Sequence, residues 1–244
     1  MARQTNSQTS DFKAGLMHGL PIGMGYLSVS FSFGVLAISM GLSWWQAILI
    51  SLTNVTSAGQ VAGLGIMSAS GGLIEMAVSQ LVINVRYSLM SISLSQKADS
   101  SVNWLSRIFL SFGITDEIFG VAMGHGDSFS RKYFAGLMVL PIFGWTLGTA
   151  LGALIGSVLP AFLIDSLSIG IYGMFIAIVL PVARKKYQVA IVSAISVAIS
   201  VLLYYVDFFS FLSSGFMYII SAVIAALIGA LFLPLSKTEV NADA

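Results

Sequence analysis

No cysteine occurs in the chain, which excludes a disulfide framework, a thiolate metal site and a cysteine nucleophile. Histidine is almost as scarce: His18 and His125 stand alone, with no metal-ligand spacing between them, and no metal site is expected. Charge is the third shortage. Only 9% of residues are charged, where ordinary soluble domains carry about 25%. The net charge of +1 offers no electrostatic reason to bind nucleic acid, and no such partner is expected. The HExxH and GxSxG signatures are also missing, so neither an enzyme nor a cofactor is expected.

What fills the chain instead is apolar: 57% of residues are hydrophobic and the mean hydropathy is +0.94. Apolar runs close to the roughly 20 residues that span a bilayer recur along nearly the whole length. The expected fold is an all-α polytopic membrane protein of about eight transmembrane helices, some discontinuous at the midplane. The spans fall near Gly15–Ser39, Trp44–Met67, Gly72–Ser95, Trp104–Gly124, Tyr133–Leu159, Ile164–Ala183, Tyr187–Val206 and Ser213–Leu233. Trp44, Trp45 and Trp104 sit at span ends, where interfacial aromatics belong. The first run exceeds the roughly 7–15 residues of a signal-peptide core and reads as a retained helix. Residues 1–14 are then a cytoplasmic tail, 15–235 the transmembrane domain, and 236–244 a second cytoplasmic tail. Both termini are expected inside because Arg3, Lys13, Arg131, Lys132, Arg184, Lys185, Lys186 and Lys237 then face the cytoplasm. The opposite side would hold Lys97, with Arg107 close to that boundary, and Asp99, Asp165 and Asp207.

Polar groups concentrate in the first half. Pro21 lies among Gly19, Gly23 and Gly25, either as a kink for packing or as a helix break lining a cavity. Thr53 to Gln60 is the most polar mid-span stretch: Asn54 and Gln60 cannot face lipid, and Ser57 and Gly59 allow close backbone approach. It reads as a polar packing seam or as a partly unwound segment that contacts substrate. On the third span, Gln80, Asn84, Tyr87, Ser88, Ser91 and Ser95 form one stripe, while Arg86 lies about 200° from Asn84. That helix therefore has two polar faces or is interrupted between them. Arg86 needs an anion, since an ionisable group in the membrane centre costs a few kcal/mol or more. On the fourth span Thr115 fits the cap of a new helix start, with Asp116 and Glu117 in its first turn. One acid is assigned to Arg86, leaving the other for an amino group or a proton. Gly144, Gly148, Gly152 and Gly156 form a small-residue face for helix packing. The segment Gly15-Leu16-Met17 with Leu20-Pro21 is matched by Gly136-Leu137-Met138 with Leu140-Pro141, which suggests a parallel repeat of four spans per half, or a coincidence in a Gly/Leu-rich chain.

These motifs, in this order, resemble the large subunit of the AzlC/YgaZ family of bacterial branched-chain amino acid exporters. The likeness rests on GLPIGMGY from Gly19, FGVLA from Phe33, GLSWWQA from Gly41, SAGQV from Ser57, Asn84-Val85-Arg86-Tyr87 and Thr115-Asp116-Glu117-Ile118-Phe119. Gly59 and Val61 stand where the family commonly has Ser and Phe, and Tyr87 where it commonly has His. The resemblance implies export of leucine, isoleucine or valine across the cytoplasmic membrane, driven by an ion gradient, together with a small AzlD-like membrane subunit. The residues themselves suit an amino acid zwitterion. Asp116 or Glu117 would receive the ammonium; Arg86 with Gln60 and Asn84 would receive the carboxylate. They do not separate leucine from another small amphiphile, nor export from import. A channel would show more continuous polar stripes, and a pure scaffold would not need central charges. Membrane lipids are the remaining expected partner, with Arg184-Lys185-Lys186 as a topology anchor.

Overall fold

The structure, a computed structural model, describes residues 2–156, 158–209 and 211–233. The expected tail at 236–244, including Lys237, lies outside the described residues. The chain is all-α: α1 (Ala2–Ser39), α2 (Trp44–Thr53), α3 (Ser57–Ser68), α4 (Leu73–Lys97), α5 (Trp104–Ser111), α6 (Asp116–Gly124), α7 (Arg131–Gly156), α8 (Ala161–Lys185), α9 (Tyr187–Tyr205) and α10 (Ser214–Phe232), with a 3₁₀ turn at Asp207–Phe209. Four of these helices carry stretches long and apolar enough to cross a membrane: Asp11–Ser39, Arg131–Gly156, Tyr187–Tyr205 and Gly215–Phe232.

The helices gather into two compact units, one of Met1–Leu64 with Ile83–Ile171, the other of Gly65–Val82 with Tyr172–Ala244. In the second unit α9 and α10 pack together, with Gly229 against Val192. Glu75, at the start of α4, is buried and accepts a 2.8 Å hydrogen bond from the Gly215 backbone N–H at the start of α10. A carboxylate at that position satisfies an otherwise orphaned amide and faces the positive end of the helix.

The first unit is built on α1 and α7, which run parallel in close contact. Their glycines make the approach: a Cβ on Gly19 would overlap the Leu137 carbonyl, and one on Gly144 or Gly152 would overlap the backbone of Gly23 or Phe31. The small-residue face of the fifth span is therefore the α1 contact. The matching segments around Pro21 and Pro141 lie on these same two helices. Pro21 does not break α1, which continues through it from Ala2 to Ser39. Of the two readings of Pro21, the helix break does not occur: Gly19 and Gly23 seat this turn on α7, and a proline removes only one ladder hydrogen bond. Helix α4 is likewise unbroken between Asn84 and Arg86, so it carries two polar faces.

The largest departure concerns Trp104–Gly124. It is not one spanning helix but two short ones of 8 and 9 residues. At 1.5 Å per residue each is only about 12–14 Å long, less than half of a hydrocarbon core of about 30 Å. The chain doubles back between them. Before α5, the Asp99 N–H donates to the Phe129 carbonyl at 3.0 Å and Ser101 Oγ accepts from the Arg131 N–H at 2.9 Å. After α6, Lys97 Nζ donates to the Met123 carbonyl. Entrance and exit of this hairpin thus share one end of the unit, next to the start of α7. Lys97, expected on the side opposite Arg131 and Lys132, stands at the same end of the unit as the start of α7, because the intervening segment doubles back.

The cysteine-free chain allows a direct check. Single cysteines at Ser101 and Asp127 are expected to react with a membrane-impermeant maleimide from the same side of sealed vesicles. Labelling from opposite sides would restore the spanning segment.

Candidate functional site

Two interruptions of helical structure in the first unit converge on one tyrosine. The first lies between α2 and α3. Asn54 ends α2 in an extended conformation, and its Oδ1 accepts from the Thr56 N–H at 2.9 Å, an Asx turn that stabilises the gap. Gln60 Nε2 then donates to Ser51 Oγ at 3.1 Å. In a straight helix nine residues would be about 13.5 Å apart, beyond the reach of these two side chains, so the start of α3 folds back alongside α2. The second interruption is Phe112–Thr115. Thr115 caps α6 by accepting from the Ile118 N–H, and Asp116 and Glu117 occupy the first turn. Ile114, Ile118 and Ala122 anchor that hairpin in a core with Leu94, Phe134 and Leu137.

Tyr26, on α1, touches both. Its hydroxyl bonds to Thr115 Oγ1 at 2.7 Å and to Glu117 Oε2. A phenol has one proton to give; with that proton on the carboxylate, the Thr115 hydroxyl supplies the hydrogen for the other contact. The ring of Tyr26 meets Trp145 edge-on, with centroids 5.2 Å apart, and Val55 of the first break packs in the same cluster. Trp145 Nε1 donates to Gln60 Oε1 at 2.9 Å, and Ser51 Oγ bonds Thr149 Oγ1 at 2.7 Å. Hydrogen bonds therefore run from Trp145 through Gln60 and Ser51 to Thr149, and a ring contact joins that chain to Tyr26, which holds Glu117.

Asp116 faces a different partner. Its Oδ2 lies 2.6 Å from Arg86 Nη1, and the two side chains are 31% and 40% exposed. Arg86 also donates from Nη2 to the Tyr87 hydroxyl at 3.3 Å and sits 5.0 Å from the centre of that ring. The adjacent acids are thus separated as their helical spacing demands: Asp116 to the cation, Glu117 to the phenol. Arg86 Nε and Thr56 Oγ1 are buried without a hydrogen-bond partner, which leaves one donor on each side of the site for a ligand to engage.

Of the residues singled out in sequence, Arg86, Asp116, Glu117 and Thr115 come together at the tip of the second hairpin. Asn54, Ser57, Gly59 and Gln60 lie at or just beyond the first break. Gln60 is 2% exposed with both ends of its amide engaged, the geometry of a strut. Asn84 is half-buried on α4, two residues from Arg86. Sequence reading missed Tyr26 and Trp145 as members of this site. Trp145 carried a usable signal: unlike Trp44, Trp45 and Trp104, it falls inside a span, where an indole N–H must find an internal partner. Also missed was the meeting of His18 and His125, which both contact Tyr133 at the base of the hairpin. No metal-binding group of three or more His, Cys, Asp or Glu occurs among the described residues.

Comparison with known proteins agrees with these motifs. The AzlC protein family matches residues 21–159, which take in both helix breaks, α7 and the second half of α1. An uncharacterized membrane protein of Archaeoglobus fulgidus is 32% identical over 196 residues, 80% of this chain and 86% of that one. The inner membrane protein YgaZ of Escherichia coli is 26% identical over 153 residues, 61% and 62% of the two chains. The branched-chain amino acid transport protein AzlC of Bacillus subtilis is 24% identical over 240 residues, 94% and 89% of the two chains. No solved structure matches. The chain is a membrane protein that belongs to the AzlC family.

Proposed function

We propose that this protein is the large subunit of a secondary transporter that exports branched-chain or similar small hydrophobic amino acids across the bacterial cytoplasmic membrane. The observation that carries this reading is the convergence on Tyr26 of two helix breaks, with a half-exposed Arg86–Asp116 pair at one of them. Discontinuous helices near the membrane centre expose unpaired backbone groups and charged side chains where a substrate can meet them. A zwitterion would place its carboxylate on Arg86 and its ammonium on Asp116 or Glu117. The ion pair suits such an exchange energetically. Exposed pairs are worth about 0–1 kcal/mol, so a substrate carboxylate that makes two charge-assisted bonds to the guanidinium competes well. A fully buried pair would resist opening, because removing one partner costs about 3–5 kcal/mol.

The charge distribution supports an orientation. One end of the first unit gathers Lys13, Lys97, Arg107, Arg131 and Lys132, whereas the turns at 40–43 and 158–160, beyond the far ends of α1 and α7, contain no Lys or Arg. By the positive-inside rule the basic end is cytoplasmic, which puts the N-terminus inside. Placing Lys97 there removes an exception to that rule. Export driven by a proton or other ion gradient and a small AzlD-like partner complete the reading; its support is the family and the relative named for branched-chain amino acid transport.

Flux of labelled leucine in vesicles, measured with and without a small partner subunit, tests it. Saturable flux that requires the assembled complex is the expected result. No flux of any amino acid, with the partner present and correctly assembled, would remove it.

A further inference from the structure

The base of the second hairpin is tied to α1 and α7 by three aromatic side chains that the sequence scatters widely. His18 Nδ1, on α1, is 2.8 Å from the hydroxyl of Tyr133, the third residue of α7. His125, the first residue after α6, stacks on the same phenol ring with centroids 3.8 Å apart and planes 12° from parallel. The two imidazoles are 5.8 Å apart, edge to face. No group of three or more His, Cys, Asp or Glu able to hold a metal occurs among the described residues, and imidazole is the side chain whose proton exchanges near neutral pH.

We propose that His125, stacked on Tyr133 and facing His18, is a proton-binding site that holds the base of the second hairpin closed when empty and releases it when occupied. It rests on the proposed reading of the protein as a carrier. The surroundings set the direction. His125 faces His18 and Asp11 from α1, Lys97 from the end of α4 and Tyr133 from α7, with Asp127 two residues further along its own loop. Desolvation, then His18, then Lys97 oppose a charge on its ring, and Asp11 alone favours one, so its pKa is lowered from 6.5. Asp11 is partly engaged already, as it accepts from Ser130 Oγ at 2.8 Å. A group whose folded pKa is depressed stabilises the closed form above its ordinary pKa, and this contribution fades as pH falls through the folded value. The base is therefore closed above about pH 6.5 and loosens below it, with the open-to-closed ratio rising at most about tenfold per pH unit for one proton. The same loop bears Phe129, which pairs with residues 97 and 99, and Lys97 at the end of α4 donates to the Met123 carbonyl just before it; a shift of His125 is thus transmitted to both sides of the hairpin's base.

The test is a distance measurement on the full chain, made simple by the lack of native cysteine. Spin labels at Met17→Cys and Ser128→Cys, both exposed positions, are compared at pH 7.5 and 5.0. The expected result is a single short distance at pH 7.5 and a longer component at pH 5.0. That component should be absent from His125→Phe, which keeps the stack without the titration, and from the His18→Asn/His125→Asn double variant. An unchanged distribution in the parent overturns the proposal. So does a pH response that survives in both variants, or a tightening in acid of the kind a cation over the Tyr133 ring would give. Because no transport is measured, failure here is separate from failure of the proposed substrate.

Discussion

Replacing Arg86 by glutamine is expected to abolish saturable leucine flux while leaving the protein assembled in the membrane. Two charge-assisted hydrogen bonds to a substrate carboxylate are worth about 1.5–3 kcal/mol each. Losing even half of that total weakens binding roughly 10- to 100-fold, at about 1.4 kcal/mol per factor of ten. The structural cost is much smaller. The pair that disappears is 31–40% exposed, in a class where such pairs contribute about 0–1 kcal/mol. Asp116 keeps its place in the first turn of α6, where the helix dipole supports its charge. Arg86→Lys separates charge from shape: an ammonium cannot grip a carboxylate through two parallel bonds, so an intermediate loss is expected. The checks are concentration dependence of flux in vesicles and, beside it, the amount of complex recovered in mild detergent.

The second large effect belongs to Tyr26. Tyr26→Phe deletes one oxygen and nothing else, so the ring still packs on Trp145 and Val55. Thr115 and Glu117 lose their shared partner, and leaving a buried polar group unsatisfied costs about 1–3 kcal/mol, more when it is charged. The expected outcome is a loss of flux of roughly 10- to 100-fold, with a thermal midpoint lowered by about 2–4 °C per kcal/mol of that cost and assembly retained. Tyr26→Ala should differ in kind. Truncating a buried aromatic costs about 3–5 kcal/mol and removes the element on which both breaks converge, so the protein should fail to assemble. Equal loss of assembly in Phe and Ala would mean that the hydroxyl has a structural role only. Glu117→Gln completes this set: if Glu117 carries the coupling proton, the pH dependence of flux flattens.

Much of this arrangement could be read from residue chemistry alone, because it depends on neighbours in sequence. Thr115 followed by two acids is helix-start chemistry wherever it occurs, and it caps α6. Four glycines at four-residue spacing must face a backbone, and Gly144 to Gly156 face α1. The all-α class followed from apolar runs near 20 residues, the length at which a helix and not a strand spans a bilayer. What escaped were features decided by partners distant in the chain. Residues 104–124 have the length and composition of a span, and only the bonds of Asp99 to Phe129 and of Ser101 to Arg131 reveal that they double back. Lys97 then looked like a positive charge remote from Arg131 and Lys132, and in the structure it stands at their end of the unit. Tyr26 was visible as a polar residue in an apolar helix, but nothing local distinguishes a hydroxyl aimed at Glu117 from one aimed at a backbone carbonyl. His18 and His125 were separable from chance only once α1 and α7 were seen to lie in parallel.

If the Arg86–Asp116 pair is the exchangeable floor of a substrate site, reversing it should restore what is structural and not what is functional. The decisive measurement is saturable leucine flux in vesicles containing Arg86→Asp combined with Asp116→Arg, the partner subunit and verified assembly. Assembly recovered without flux is the predicted result, since the cation would then stand on α6 instead of α4 and would meet the substrate carboxylate from the wrong side. Flux restored along with assembly would contradict the account, and would show the pair to be a fixed brace that the substrate never opens.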